Sequence, residues 1–214
     1  GSNSTDEAIS LTKHAKDAGA DAALLITPYY NKPTQEGLYR HYKAIAEAVD
    51  LPLVLYNIPG RTGVNMLPAT VARLAGIQNI VGVKEGSGSI QQASDIVQTC
   101  GTRLTVLAGD DAMTLPMMAV GGTGVITVTA NIAPTEMAEM VKAFAAGNIE
   151  EARRIHFQLS PLFAALFIET NPIPVKEALG MMGKIDPELR LPLCPMEKDN
   201  REKLMQVMKA GRFI

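Results

Sequence analysis

Two cysteines, three histidines and no long apolar run set the first limits on this 214-residue chain. Cys100 and Cys194 lie far apart, without metal-type spacing and without a local partner, so a reduced, cytoplasmic setting is expected. No stretch of about 18 apolar residues is present, which excludes a helical membrane span. Lys and Arg number 20 against 22 Asp and Glu, a net charge of -2 with no basic stripe. Nucleic acid and acidic lipid therefore find no electrostatic footprint. There is also no initiator methionine and no signal peptide. The chain opens on Gly1-Ser2, a candidate cloning scar, and is expected to begin after processing, proteolysis or truncation.

What the chain does hold is apolar residue, 47% of the total, sufficient for one large domain that buries about 70% or more of its unfolded surface. Ser4 or Thr5 as N-cap, Asp6 and Glu7 in the first turn, and Ala8, Ile9, Leu11, Ala15 and Ala18 on roughly one face predict a helix over 5–18. A buried strand over 22–27, a stiff loop from Pro28 to Pro33 and a helix over 34–48 follow, the helix turning Leu38, Tyr42, Ile45 and Val49 inward. Strands are expected again over 52–58, from about 80 to Lys84, over 104–109 and over 123–128, with helices near 67–75, 89–99 and 111–119 between them. Pro59 through Gly63 reads as a break, and Met113, Leu115 and Met118 as core-facing. Four further helices are expected over 133–146, 148–167, 172–182 and 197–210. Strands alternating with helices mean right-handed βαβ units and a parallel sheet. Alternation alone fits an open doubly wound sheet or most of a (β/α)8 barrel, which usually needs about 250 residues.

Parallel strands send their carboxyl ends to one face, where ligands collect. Tyr30, Tyr56, Arg61, Lys84, Gly109, Asp110 and Ile126 all fall at or just past such ends. A lysine held there against apolar walls loses solvation for its ammonium form, and the free amine becomes a nucleophile. Nucleophilic amine chemistry needs a nearby acid and base, which a phenol such as Tyr56 supplies. Arg61 offers a planar fork for a carboxylate. The plain readings are a salt-bridged or solvated Lys84, a strand-favouring Tyr56, a solvated Arg61, and Tyr29 and Tyr30 as interface aromatics. Gly86-Ser87-Gly88 fits no phosphate-binding pattern. Asp110-Asp111 reads as helix capping because no third ligand lies at useful spacing, so no metal is expected. His14, His41 and His156 are expected on helix surfaces, and Met113, Met117, Met118, Met137, Met140, Met181 and Met182 as packing.

Thr27-Pro28-Tyr29-Tyr30-Asn31-Lys32-Pro33, Leu55-Tyr56-Asn57-Ile58-Pro59-Gly60-Arg61-Thr62-Gly63, Gly82-Val83-Lys84-Glu85 and Gly124-Val125-Ile126-Thr127-Val128 resemble the dihydrodipicolinate synthase family in order and spacing, essentially from end to end. The resemblance implies a TIM (β/α)8 barrel of which strands 4 to 8 are present, over residues 1–132, followed by the last barrel helix and a C-terminal helical extension over 133–214. It implies that Lys84 forms a Schiff base with pyruvate, whose enamine attacks L-aspartate 4-semialdehyde, without a cofactor. On the same resemblance Tyr56 shuttles protons, Arg61 holds the semialdehyde carboxylate, and Tyr30 reaches across a dimer interface. Gly109, Asp110 and Ile126 line the pyruvate pocket. Asn3, Glu7 and Tyr29 match residues that bind inhibitory L-lysine, and the family's assembly is a dimer of dimers.

One feature departs from the family. The Gly-Thr-Thr-Gly-Glu type loop that holds the pyruvate carboxylate is absent, with the first three strands, so an inactive truncated fragment is one alternative. An N-acetylneuraminate lyase type of aldolase is another, disfavoured by Arg61, and a phosphate- or nucleotide-binding doubly wound domain a third, disfavoured by the Pro28–Pro33 loop.

Overall fold

The computed structural model describes residues 1–214. It divides into two compact units, Gly1–Ile126 and Thr127–Ile214. The first unit contains α1 (Thr5–Asp17), β1 (Ala23–Ile26), α2 (Gln35–Ala48), β2 (Leu53–Asn57), α3 (Pro59–Thr62), α4 (Pro68–Leu74), β3 (Ile80–Glu85), α5 (Ile90–Cys100), β4 (Thr105–Ala108), α6 (Thr114–Ala119) and β5 (Gly124–Val125). The second contains α7 (Pro134–Ala145), α8 (Ile149–Ala165), α9 (Ile173–Met181) and α10 (Lys198–Ala210). No helix is long and apolar enough to cross a membrane.

The strands form one parallel sheet in sequence order, β1-β2-β3-β4-β5. Local chemistry explains where its helices begin. The Ser4 hydroxyl accepts the Glu7 N–H at the start of α1, Thr34 accepts that of Gly37 at α2, and Ser89 accepts that of Gln92 at α5. In α2, Leu38, Tyr42 and Ile45 form a fully buried stripe at helical spacing, and the Tyr42 hydroxyl donates to the Leu25 carbonyl at 3.2 Å. These residues pack with Leu25, Leu53, Leu55, Val83 and Val106 from the sheet and with Val71, Leu74 and Ile96 from α4 and α5. The second unit has a core of its own, with Met140, Ala152, Leu159 and Leu204 fully buried.

One irregularity in the sheet decides which way its side chains face. Leu53 pairs with Ile80, but Val54 pairs with Gly82, so Val81 is an extra residue bulged out of β3 and 39% exposed. Beyond the bulge, Tyr56 pairs with Lys84 and Asn57 with Glu85. An unbroken register from Leu53–Ile80 would have set Lys84 beside Asn57, on the face that packs against the helices.

Several sequence expectations are corrected. Leu11 does not turn inward: it is 48% exposed, while Thr12, four residues after Ala8, is buried and donates its hydroxyl to the Ala8 carbonyl. His41 is not on the surface, because it follows Leu38 by one helical turn. It is 6% exposed, with Nδ1 3.0 Å from the Thr5 hydroxyl. Burial, with a smaller push from the chain's own amino terminus, lowers its pKa to about 4. His156 is half-buried against Phe157 and Phe163. Pro59–Thr62 is a single helical turn closed by Gly63 at φ 74°, so the expected break is itself structured. The expected helix over 111–119 opens with a tighter turn over Asp111–Met113. The last strand ends early: the Ile126 N–H still donates to the Ala108 carbonyl, but the Thr127 hydroxyl then accepts the Ala130 N–H and turns the chain into Thr129–Asn131.

Leu55 is wholly enclosed on a central strand. Leu55→Ala is expected to cost about 2–5 kcal/mol in urea unfolding, whereas Leu11→Ala stays within about 0.5 kcal/mol. Equal losses at the two positions would contradict the packing described.

Candidate active site

Four strands contribute to one lateral row near the carboxyl end of the sheet: Ile26 pairs with Tyr56, Tyr56 with Lys84, and Lys84 with Leu107. Laterally paired residues of a parallel sheet point to the same side, so the phenol and the amine are neighbours by register. The Lys84 Nζ lies over the Tyr56 ring, 4.2 Å from its centroid. That aromatic face and the surrounding sheet leave Lys84 only 9% exposed.

The electrostatics follow from this placement. Burial lowers the Lys84 pKa from its ordinary value; the negative charge of Asp111 works against that shift, and the positive charge of Arg61 adds to it. Burial raises the pKa of the Tyr56 phenol, with Arg61 opposing the rise. A single guanidinium, carried by the turn α3 immediately after β2, therefore acts on both groups. Burial, the larger cause at both groups, favours a neutral amine beside a neutral phenol, the pairing that carbonyl addition and proton transfer require.

Just past the strand ends the backbone itself is closely packed. The Gly86 N–H donates to the Asn57 carbonyl at 2.8 Å and the Gly109 N–H to the Glu85 carbonyl at 2.7 Å, extending the sheet past its strands. A Cβ on Gly86 would stand 3.0 Å from the Asn57 carbonyl oxygen and 3.5 Å from the Tyr56 ring. One on Gly109 would stand 3.0 Å from both the Glu85 oxygen and the Gly86 Cα. Ile126 joins the same edge through its N–H bond to Ala108.

The remaining sequence candidates divide. Asp110 caps the turn after β4, accepting the Ala112 N–H at 2.9 Å, as its sequence position suggests. Asp111 is the first residue of the turn that Asp110 caps. It is 1% exposed and its charge reaches Lys84, a contribution that sequence reading missed because two adjacent aspartates both look like caps. Gly86-Ser87-Gly88 offers no phosphate cradle: the Ser87 N–H is turned inward to Glu85 and the Ser87 hydroxyl accepts the Ser89 N–H. Tyr30 is 89% exposed with φ 70°, a conformation unusual for a bulky residue. Tyr29 is 40% exposed, and its carbonyl accepts the Asn3 side-chain amide at 3.2 Å, while the Ser2 hydroxyl donates to the Glu7 carboxylate. No three His, Cys, Asp or Glu side chains gather at metal-binding geometry.

A parallel α/β fold with a desolvated amine, a phenol and a guanidinium at the carboxyl end of its sheet is an enzyme of the Schiff-base class. The chain belongs to the dihydrodipicolinate synthetase family, whose sequence profile matches residues 1–211. The 4-hydroxy-tetrahydrodipicolinate synthase of Geobacter sp. (strain M21) is 61% identical over 214 residues, all of this chain and 74% of that protein. Among solved structures, a chloride-inhibited dihydrodipicolinate synthase from Acinetobacter baumannii complexed with pyruvate is 51% identical, with TM-score 0.98 over all of this chain and 74% of that one. The enzyme from Cyanidioschyzon merolae with lysine bound is 44% identical, with TM-score 0.96 over all of this chain and 72% of that one. A further solved relative, 47% identical with TM-score 0.98 and matched over all of this chain and 72% of its own, is described as a monomeric variant. The family is one of TIM barrels and of Schiff-base lyases, and the five-stranded parallel sheet with its helices belongs to that architecture.

A lysine amine must lose its proton before it can attack a carbonyl. Asp111→Asn removes a charge that favours the ammonium form, so the pH midpoint for borohydride trapping of a small 2-oxo acid on Lys84 is expected to move down. Arg61→Ala removes a charge that disfavours it, and the midpoint is expected to move up. Shifts in the same direction would overturn the assignment.

Proposed function

We propose that this chain carries out the 4-hydroxy-tetrahydrodipicolinate synthase reaction of lysine and diaminopimelate biosynthesis, with Lys84 as the covalent catalyst. The observation that carries the reading is the register pairing of Tyr56 with Lys84, with the amine lying over the phenol ring and Arg61 acting on both. The neutral Lys84 amine attacks the C2 carbonyl of pyruvate. Tyr56 returns a proton to the carbinolamine oxygen, water leaves, and the imine forms. Loss of a C3 proton gives the enamine, whose C3 attacks the aldehyde carbon of L-aspartate 4-semialdehyde. The semialdehyde's amino group then adds to the imine carbon, closing the ring and releasing Lys84. The imine is itself the electron sink, so no cofactor or metal is required in this scheme.

Arg61 is the anchor for the semialdehyde carboxylate, a role its exposed position on α3 supports. Gly109, Asp110 and Ile126 border the pyruvate pocket, with Gly109 and Ile126 held there by their main-chain bonds to the neighbouring strands. We assign β1–β5 to the fourth to eighth strands of the family's barrel, supported by the unbroken parallel order and the 74% share of the Geobacter relative that the chain spans. The donors for the pyruvate carboxylate are then expected on the family's earlier strands. Tyr30, 89% exposed, reaches a second copy in a dimer of dimers. Asn3, Glu7 and Tyr29 form part of an L-lysine inhibitory site, supported by the hydrogen bond between Asn3 and Tyr29.

Incubation with pyruvate, borohydride reduction and peptide mapping is expected to place the adduct on Lys84; an adduct elsewhere would sink the mechanism. Arg61→Ala is expected to raise the KM for the semialdehyde about 10-fold or more with a smaller effect on the KM for pyruvate, as loss of a charge-assisted bond implies. Sedimentation with and without Tyr30→Ala checks the interface, which would be refuted by unaltered assembly. Isothermal titration with L-lysine is expected to lose its signal in Asn3→Ala, and an undiminished signal would remove Asn3 from the site.

A further inference from the structure

Behind the row that carries Tyr56 and Lys84 stands a second row, Asn57 and Glu85, facing the helices. Asn57 is fully enclosed and Glu85 2% exposed, so each functional side chain has a buried polar residue immediately after it on its strand. Their hydrogen bonds form one connected network. The Met66 N–H donates to Asn57 Oδ1 at 2.9 Å, which fixes the amide so that Nδ2 donates to Glu85 Oε2 at 3.0 Å and to Asn65 Oδ1 at 2.8 Å. Asn65 Nδ2 then donates to Gln92 Oε1 at 2.8 Å, and Gln92 Nε2 donates back to Asn65 Oδ1 and onward to Glu85 Oε2, each at 3.1 Å. Glu85 Oε1 accepts the Ser87 N–H at 2.6 Å. A single main-chain N–H thus sets the direction of every amide, and all the donors that reach Glu85 are N–H groups.

The network touches each part that the chemistry needs. Asn57 and Glu85 tie the ends of β2 and β3 together. Asn65 and Met66 tie in the segment that follows the Arg61 turn. Ser87 and Gln92 tie in the loop beyond Lys84 and the first turn of α5. Gln35 of α2 strengthens the hold, donating to the Asn65 carbonyl at 2.8 Å while accepting from Leu67 and Thr70. Glu85 is not among the charges that act on Lys84, which are those of Asp111 and Arg61.

We infer that Glu85, Asn57, Asn65 and Gln92 are positioning residues, a buried clamp that fixes the Lys84 amine, the Tyr56 phenol and the Arg61 turn in one relative geometry without touching substrate. The inference rests on the reading of Lys84 as the Schiff-base residue. In Glu85→Gln an NH2 group must face donors that cannot turn away, because Asn57 is locked by Met66, so the clamp loosens while the fold's apolar core is untouched.

The test is the rate of borohydride-trapped pyruvate adduct on Lys84, per folded protein, with kcat and KM measured alongside in the full enzyme. Glu85→Gln is expected to slow trapping and lower kcat about 10- to 100-fold, the scale of a misplaced catalytic geometry, with KM for pyruvate changed less than about 3-fold and the pH midpoint unmoved. Adding Asn57→Asp, which presents an acceptor to the new amide and lets the reciprocally paired Asn65 and Gln92 amides reverse together, is expected to recover several-fold of the loss. Leu55→Ala, a core change on the same strand, is expected to keep wild-type trapping below its own unfolding transition. A Glu85→Gln rate within about 2-fold of wild type, a moved pH midpoint, or an equal loss in Leu55→Ala would each overturn the clamp. Absence of a Lys84 adduct in the wild-type enzyme would instead overturn the Schiff-base reading and the clamp with it. Should Glu85→Gln fail to fold, Gln92→Met, which at similar volume removes the two bonds Gln92 donates and the one it accepts from Asn65, carries the same expectations.

Discussion

The bulge at Val81 is the constraint on which the site depends. A strand alternates its side chains with a period of two, so one inserted residue exchanges the faces of everything that follows. Here it lets Ile80 and Val83, three apart, both pack into the core, and then delivers Lys84 beside Tyr56 and Glu85 beside Asn57. An amine at the helix-packed face would stand beside Asn57, without the Tyr56 ring for a neighbour. The Val81 side chain itself remains partly in solvent, so the change of parity costs little apolar burial.

From this parity follows a division of labour across the sheet. One face carries groups tuned by burial and by two opposed charges, Asp111 and Arg61, so that the pull toward the neutral amine is set by burial and trimmed by a nearby carboxylate. The other face carries amides and a carboxylate that are fully hydrogen-bonded within the protein. The two sets are adjacent along each strand and point apart, which separates chemistry from rigidity although only one peptide bond lies between them.

Much of this could be read from the chain. Strand and helix bounds were legible to within about two residues for most elements because Gly, Pro and capping Ser or Thr residues punctuate the sequence. Lys84, Tyr56 and Arg61 were legible as residues at strand ends. Less visible was anything that depends on partners distant in sequence. Nothing in Ile80-Val81-Gly82-Val83 marks which residue is extruded, because that depends on the pairing with β2. Asn57, Asn65 and Gln92 resemble ordinary polar loop or helix-start residues until the fold brings them together. His41 was misplaced because its charged sequence neighbours hide the turn it shares with Leu38 and Tyr42. The early end of β5 rests on one threonine hydroxyl, a choice between two local hydrogen-bonding patterns that apolar periodicity does not report.

Gly86 and Gly109 bring main chain against main chain just past the strand ends, where an added Cβ would stand 3.0 Å from the neighbouring backbone. That restricts the directions in which such a pocket can drift over evolutionary time. A side chain at either glycine would press on the main-chain bonds that extend the sheet. A lineage acquiring a bulkier or smaller second substrate would have to change the rim, where α3 carries Arg61 in an exposed turn. The same core chemistry can then serve divergent aldehydes by exchange of peripheral residues while the glycine-packed strand ends stay constant.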